Sequence, residues 1–246
     1  MSRCIASIEA RMGSSRFPGK VLADVNGMPA IERLVRRLRQ ARHLDDIVIA
    51  TTTNPKDDAL VSWAQDFGVS VHRGSEGDVL QRVVDAQKSM NADIVVEITG
   101  DATLSDPGVV DRAIERFNRQ DCDIVSTSAR RSYPLGIDAQ VFRLADLAWV
   151  ADNVHDLPVR EHVSLHFYEN PGKYRIVHLD APEDERRPQY RLVLDYREDL
   201  QVLAAICRHL EPVTGEYFST RQIVEFLDAS PDVVALNADC FVKPVR

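Results

Sequence analysis

The chain has 246 residues, 44% hydrophobic and 28% charged, with a formal net charge of −8, which is ordinary globular composition with room for one large α/β core. The acidic balance argues against a nucleic-acid groove, which carries a basic excess, and no run approaches the ~18 apolar residues of a membrane span. The cysteines at 4, 122, 207 and 240 lack C-x-x-C spacing, so they read as buried small apolar residues of a soluble, cytoplasmic protein without a signal peptide.

Cys4-Ile5-Ala6-Ser7-Ile8 alternates as a first strand and leads into Arg11-Met12-Gly13-Ser14-Ser15-Arg16-Phe17-Pro18-Gly19-Lys20. Three cations, two glycines and two hydroxyls in ten residues suit a polyphosphate: glycine lets the main chain approach, Arg11 and Arg16 fork onto phosphate oxygens, and Lys20 acts as a point charge. The spacing from Gly13 to Gly19 and the Val21 after Lys20 do not fit a P-loop, and no G-x-G-x-x-G is present. The bland alternative is a solvated basic turn.

Ile31, Leu34, Val35 and Leu38 predict an amphipathic helix over 30–42, and 46–52 reads as a strand buried on both faces. A helix through Leu60 and Phe67 ends at Gly68. A third strand at 69–72, a helix from Val79 to Met90, a fourth strand at 93–98, helix 107–118 and strand 122–127 follow. This alternation predicts a three-layer, mainly parallel Rossmann-like sheet with helices on both faces. Ligands in such sheets sit beyond the carboxyl ends of the strands. The Arg11–Lys20 loop, Thr51 to Thr53, Gly74 to Asp78 and Gly100-Asp101 all fall there, so one composite site is expected. Asp101, at a strand end opposite the phosphate loop, is placed to hold magnesium; capping of the next helix is the alternative, although Ser105 and Asp106 already offer a cap.

The second half is less regular. A turn and strand cover 133–142, helix 144–153 follows, and Arg160-Glu161-His162-Val163 opens a helical stretch to about Tyr168. His162 and His166 are four apart, but no further ligand signature accompanies them, so His166 reads as a surface or packing residue. Residues 169–190 read as a loop or arm with solvated charges, 191–195 as a buried strand, and Tyr196 onward as a helix with Leu200, Leu203, Ile206 and Leu210 on its apolar face. Helix 219–228 and the run 232–237 come last. The expectation is a single domain over 1–246. Residues 1–128 form its nucleotide-binding part, 129–190 an acceptor and dimerisation elaboration, and 191–246 a return to the main sheet.

The run Ile8 to Leu22 closely resembles the nucleotide loop of the cytidylyltransferase family that includes 3-deoxy-manno-octulosonate cytidylyltransferase, with closest similarity to the branch of spore coat polysaccharide biosynthesis protein F. Ile98-Thr99-Gly100-Asp101, Arg160-Glu161-His162-Val163 and the strand ending at Asp195 match as well. The resemblance implies transfer of CMP from CTP to an anionic acceptor, a sugar acid or a phosphonate, with release of pyrophosphate. It implies Arg11, Arg16 and Lys20 on the triphosphate and Asp101 and Asp195 on Mg2+. It further implies that main chain from Ser7 to Ala10 and residues near Asp78 read the base, and that the partners are small molecules and a second copy in a homodimer. Gly13, Ser14, Ser15, Thr51 and Gly100 complete the expected nucleotide contacts. A basic cluster of Arg130, Arg131, Arg160 and His162 suits the acceptor. For Asp195, helix capping stays open as an alternative. Glu9 departs from the Gln usual in this branch, and Ala102-Thr103 from its Cys-Pro. A glycosyltransferase using a nucleotide sugar, or a noncatalytic nucleotide-binding protein, is the alternative reading; the former lacks a D-x-D pair at Asp101.

Overall fold

Strand and helix alternate through the first half as the periodicity predicts, in a computed structural model that describes residues 2–242. In chain order these are β1 (Cys4–Glu9), α1 (Ala30–Leu38), β2 (Asp46–Thr52), α2 (Asp58–Phe67), β3 (Ser70–Gly74), α3 (Val79–Ser89), β4 (Ile94–Thr99), α4 (Pro107–Arg119) and β5 (Ile124–Ser126). The second half adds β6 (Gln140–Arg143), α5 (Leu144–Asn153), α6 (Leu157–Glu161), α7 (Leu165–Glu169), β7 (Ile176–His178), α8 (Arg197–Thr214), α9 (Thr220–Asp228) and α10 (Pro231–Ala235).

The seven strands form one sheet in the order β3-β2-β1-β4-β6-β5-β7. Only β6 runs against its neighbours; β1 lies between β2 and β4 and pairs with both in parallel. The alternation of β1 sorts its side chains between two cores. Cys4, Ala6 and Ile8 pack with Ile31, Leu34, Leu60, Val110 and Ile114 from α1, α2 and α4. Ile5 faces the other way, onto Leu80, Val83, Leu147 and Phe167 from α3, α5 and α7. A third core joins Leu104, Leu192, Leu194, Leu203, Ile206 and Ile223, and ties α8 and α9 to the loops beyond the sheet.

Three expectations for the second half are corrected. Residues 191–195 do not return to the sheet. This segment is buried and extended, but its backbone partners are loops: Leu192 N–H donates to Leu135 O (2.7 Å) and Leu194 N–H to Asp101 O (3.0 Å). Gly136, at φ 99°, allows the approach, since a Cβ there would lie 2.7 Å from the Leu192–Val193 peptide. Second, the stretch from Arg160 to Tyr168 is two short helices, because His162 is extended (φ −118°, ψ 97°) between α6 and α7. His162 and His166 therefore do not share a helical face, and His166 is ringed by Trp149, Phe167 and Tyr174. Third, the arm at 169–190 contains an edge strand, β7, paired in parallel with β5.

Candidate active site

The loop after β1 is held by its base. Asp57, buried after β2, accepts from Met12 N–H at 2.7 Å, while Met12 O accepts from both Ser14 N–H and Gly19 N–H at 3.0 Å. The loop therefore turns back on itself and delivers Lys20 to the carboxyl edge of the sheet. Beside it, β1 and β4 come so close that a Cβ on Gly100 would lie 2.8 Å from both Glu9 O and the Ala10 Cβ. Only glycine fits this crossing, which puts Asp101 next to the loop.

Asp195 arrives on the extended segment that docks on Asp101 O. Lys20 Nζ sits between the two carboxylates, 2.7 Å from Asp101 Oδ2 and 2.8 Å from Asp195 Oδ1, and Arg16 reaches the same Asp195 oxygen at 2.7 Å. Thr99 donates its hydroxyl hydrogen to Asp101 Oδ1 at 2.7 Å. Burial pulls the Lys20 ammonium down, but Asp101 and Asp195 outweigh it and raise its pKa. Burial likewise pushes Asp195 up, and Lys20, Arg16 and Arg191 together bring it below the ordinary carboxylate value.

The capping alternatives for both aspartates fail on geometry. Helix α4 is capped by Asp106, whose Oδ1 accepts from Gly108 N–H at 2.7 Å. At the start of α8 the cap is Asp199, whose Oδ2 accepts from Asp195 N–H and Tyr196 N–H, both at 2.9 Å. Asp101 and Asp195 thus both face a cleft of about 880 Å³, ample for small-molecule ligands.

The cleft walls bring together Glu9, Ala10, Arg11, Ser14, Ser15, Arg16, Lys20, Gly100, Asp101, His162 and Asp195. Gly13 belongs to the same loop, and Arg11 pairs with Glu76 at 3.0 Å. Gly13 is off these walls, and so are other expected site residues. Ser7 and Thr51 are wholly buried within β1 and β2. Asp78 caps α3 and is held by both ends of the Arg160 guanidinium, at 2.9 and 2.5 Å. Arg160 also donates to Ala151 O and Val154 O at the end of α5, so it ties helices together. Arg131 pairs with Asp138 at 2.8 Å.

Other wall residues carried little sequence signal. Arg82 is a buried helix residue that donates from Nε to Ala50 O at 3.2 Å and from Nη1 to Ser75 O at 2.5 Å, and nothing in the apolar periodicity of α3 marks it. Tyr196 follows Asp195 directly and lies under the Arg16 guanidinium, 5.1 Å from it. Phe241 and Val242 contribute apolar surface to the rim.

Glu9 is half-buried on the floor of the cleft, diagonal to Glu97, which is opposite Ser7. Burial and the Glu97 charge hold the Glu9 carboxyl well above its usual range, against the pull of Arg82. Burial raises Glu97 to about 7, although it accepts a hydrogen bond from Ser164. Two acids with raised pKa therefore lie beneath one wall, while the loop cations line another.

A doubly wound sheet with a cationic strand–loop and two converging carboxylates at its carboxyl edge is the arrangement of a nucleotidyltransferase. Residues 5–221 match the cytidylyltransferase family model, and the chain belongs to that family of CTP-dependent enzymes. Among its relatives, an uncharacterized protein of Methanocaldococcus jannaschii is 34% identical over 99% of this chain and 98% of its own length. Spore coat polysaccharide biosynthesis protein SpsF of Bacillus subtilis is 33% identical over 94% and 97%. A cytidylyltransferase structure from Leptospira borgpetersenii superimposes with a TM-score of 0.89 at 26% identity, covering 99% of this chain and all of that one.

Proposed function

We propose that this enzyme transfers CMP from CTP to an oxygen of an anionic acceptor, a sugar acid or a phosphonate, with Mg2+ held by Asp101 and Asp195. The observation that carries the proposal is the convergence of these two carboxylates on a single cationic point, the Lys20 ammonium, within a cleft lined by the loop cations. The donor set fits magnesium, which takes one or two carboxylates together with phosphate oxygens and water. Magnesium bound there supplies charge neutralisation to phosphate oxygens. SpsF, whose name places it in polysaccharide biosynthesis, supports a saccharide-derived acceptor.

Arg11, Arg16 and Lys20 bind the triphosphate, and the cleft orients the acceptor oxygen in line with the α-phosphorus. A new P–O bond forms to the acceptor, the bond to the bridging oxygen breaks, and its electron pair leaves with pyrophosphate; where the attacking oxygen is a hydroxyl, its proton passes to solvent. Cations at the leaving group act where negative charge grows, so they lower the barrier more than they strengthen ground-state binding. His162 lines the cleft, and in this reading it contacts the acceptor. A homodimer through the second half is part of the same reading.

Pyrophosphate release with Mg2+, each nucleoside triphosphate, and a panel of sugar acids and phosphonates tests the proposal. The expected result is release with CTP and one acceptor. Release that needs no divalent ion would remove the metal role, and turnover only with neutral acceptors would remove the acceptor class.

A further inference from the structure

The buried carboxylate of Asp199 does not line the cleft, yet it organises the segment that carries Asp195. Asp199 is wholly buried and saturated by donors. Oδ2 accepts from the backbone N–H groups of Asp195 and Tyr196, both at 2.9 Å. Arg191 brings Nε to Oδ1 at 2.8 Å and Nη2 to Oδ2 at 3.1 Å. Asn237, from the segment after α10, donates Nδ2 to Oδ1 at 2.9 Å and to Arg191 O at 3.0 Å.

This saturation decides how Arg191 meets Asp195. A buried guanidinium beside two carboxylates prefers a forked, bidentate contact with one of them. Asp199 takes the fork, so Asp195 receives a single 3.2 Å contact from Arg191, on Oδ2. Asp195 Oδ1 is left facing the cleft, where Lys20 and Arg16 meet it. Without the Asp199 charge, Arg191 would be free to close its fork on Asp195 and neutralise the carboxylate that must accept a metal.

We propose that Asp199, with Arg191 and Asn237 as its supports, is the positioning residue that keeps the Asp195 carboxylate turned to the cleft and out of a forked contact with Arg191, so that a divalent cation can take the place Lys20 and Arg16 hold on it. The proposal rests on the magnesium part of the function proposed above. Residues behind metal ligands commonly change metal affinity by about 10–100-fold when replaced.

The test measures Mn2+ binding to the complex with CTP by electron paramagnetic resonance, and CTP binding in EDTA by calorimetry, without acceptor. Asp199→Asn should weaken Mn2+ binding by about 10–100-fold while metal-free CTP affinity changes by less than about threefold. A merely structural role would move both constants together, so an equal loss of both, or unchanged Mn2+ binding, overturns the proposal. Asp195→Asn separates the two readings: if it leaves Mn2+ binding unchanged, the metal assignment fails and the positioning role with it. If only Asp199→Asn is without effect, the positioning role alone fails. Should Asp199→Asn not fold, Asn237→Ala, which removes a donor to Asp199 Oδ1, takes its place. It should show the same split in smaller degree, and wild-type Mn2+ binding there would be decisive against the idea.

Discussion

At the scale of single residues, charge placement separates groups that serve the site from groups that only sit near it. Asp101 takes no part in capping and shares Lys20 with Asp195, so Asp101→Asn should lower turnover by about 10²–10³-fold, the size of effect seen when one preorganised charge-stabilising group is lost. Unchanged turnover with a native circular dichroism spectrum would remove Asp101 from the machinery. Glu97 sets a pH dependence of another kind. Its pKa rises from about 4.5 unfolded to about 7 folded, so the folded state binds a proton that the unfolded state lacks between these values. The associated stability is complete below pH 4.5 and disappears as pH rises through 7, a loss of roughly 3 kcal/mol. Urea titrations at pH 5 and pH 8 should show Glu97→Gln losing less stability than the wild type over this interval by about that amount; parallel losses would mean that Glu97 is ionised throughout.

At the scale of elements, α1 does more than cover the sheet. Arg37, buried on a helix whose arginines look solvated in sequence, donates to Ser105 O (3.0 Å), Glu216 O (3.0 Å) and Phe218 O (2.7 Å), and lies over the Phe218 ring. It joins α1 to the loop after β4 and to the entry of α9. Arg37→Ala should cost roughly 3 kcal/mol or more by denaturant unfolding, since each carbonyl left without a donor costs about 1–3 kcal/mol; a change below 1 kcal/mol would show that water replaces the side chain. The same scale shows where sequence reading works. β1 to α4 are legible because each carries its own apolar period and a boundary signal such as Gly68 or Asp106. The nucleotide loop is legible because its cations and glycines lie within ten residues. The antiparallel insertion of β6, the three-residue β7 and the loop-docked run at 191–195 depend on distant backbone partners, which a local pattern does not encode. Arg82, Asp199 and Arg37 carry no sequence signal because a polar residue on an otherwise regular helix looks solvated until its neighbours are known. Asp78 and Arg160 lie near expected positions, but their charges are spent on each other.

At the scale of the molecule, the cleft draws on β1, the start of α3, the end of β4, α6, the segment before α8 and the residues after α10. Ligands that bridge these parts should stabilise the whole fold. CTP with Mg2+ at 100 times its dissociation constant should add about 2.7 kcal/mol, a rise in Tm of about 5–10 °C for a chain of this size. Asp101→Asn should keep only the rise that CTP gives in EDTA. A Tm rise in wild type that is the same with Mg2+ and with EDTA would count against the shared metal site.

The extended run at 191–195 carries one of the two site carboxylates but takes no place in the sheet that carries the other. The pair is thus divided between the sheet and a segment docked outside it, joined by the Leu192 and Leu194 backbone bonds, the third apolar core and the bonds of Arg37 and Asp106 to the entry of α9. Local opening of that segment would part Asp195 from Asp101 while every strand stayed paired. Activity can therefore be lost well before the protein as a whole unfolds, so residual activity and residual secondary structure are separate measures of this enzyme's integrity.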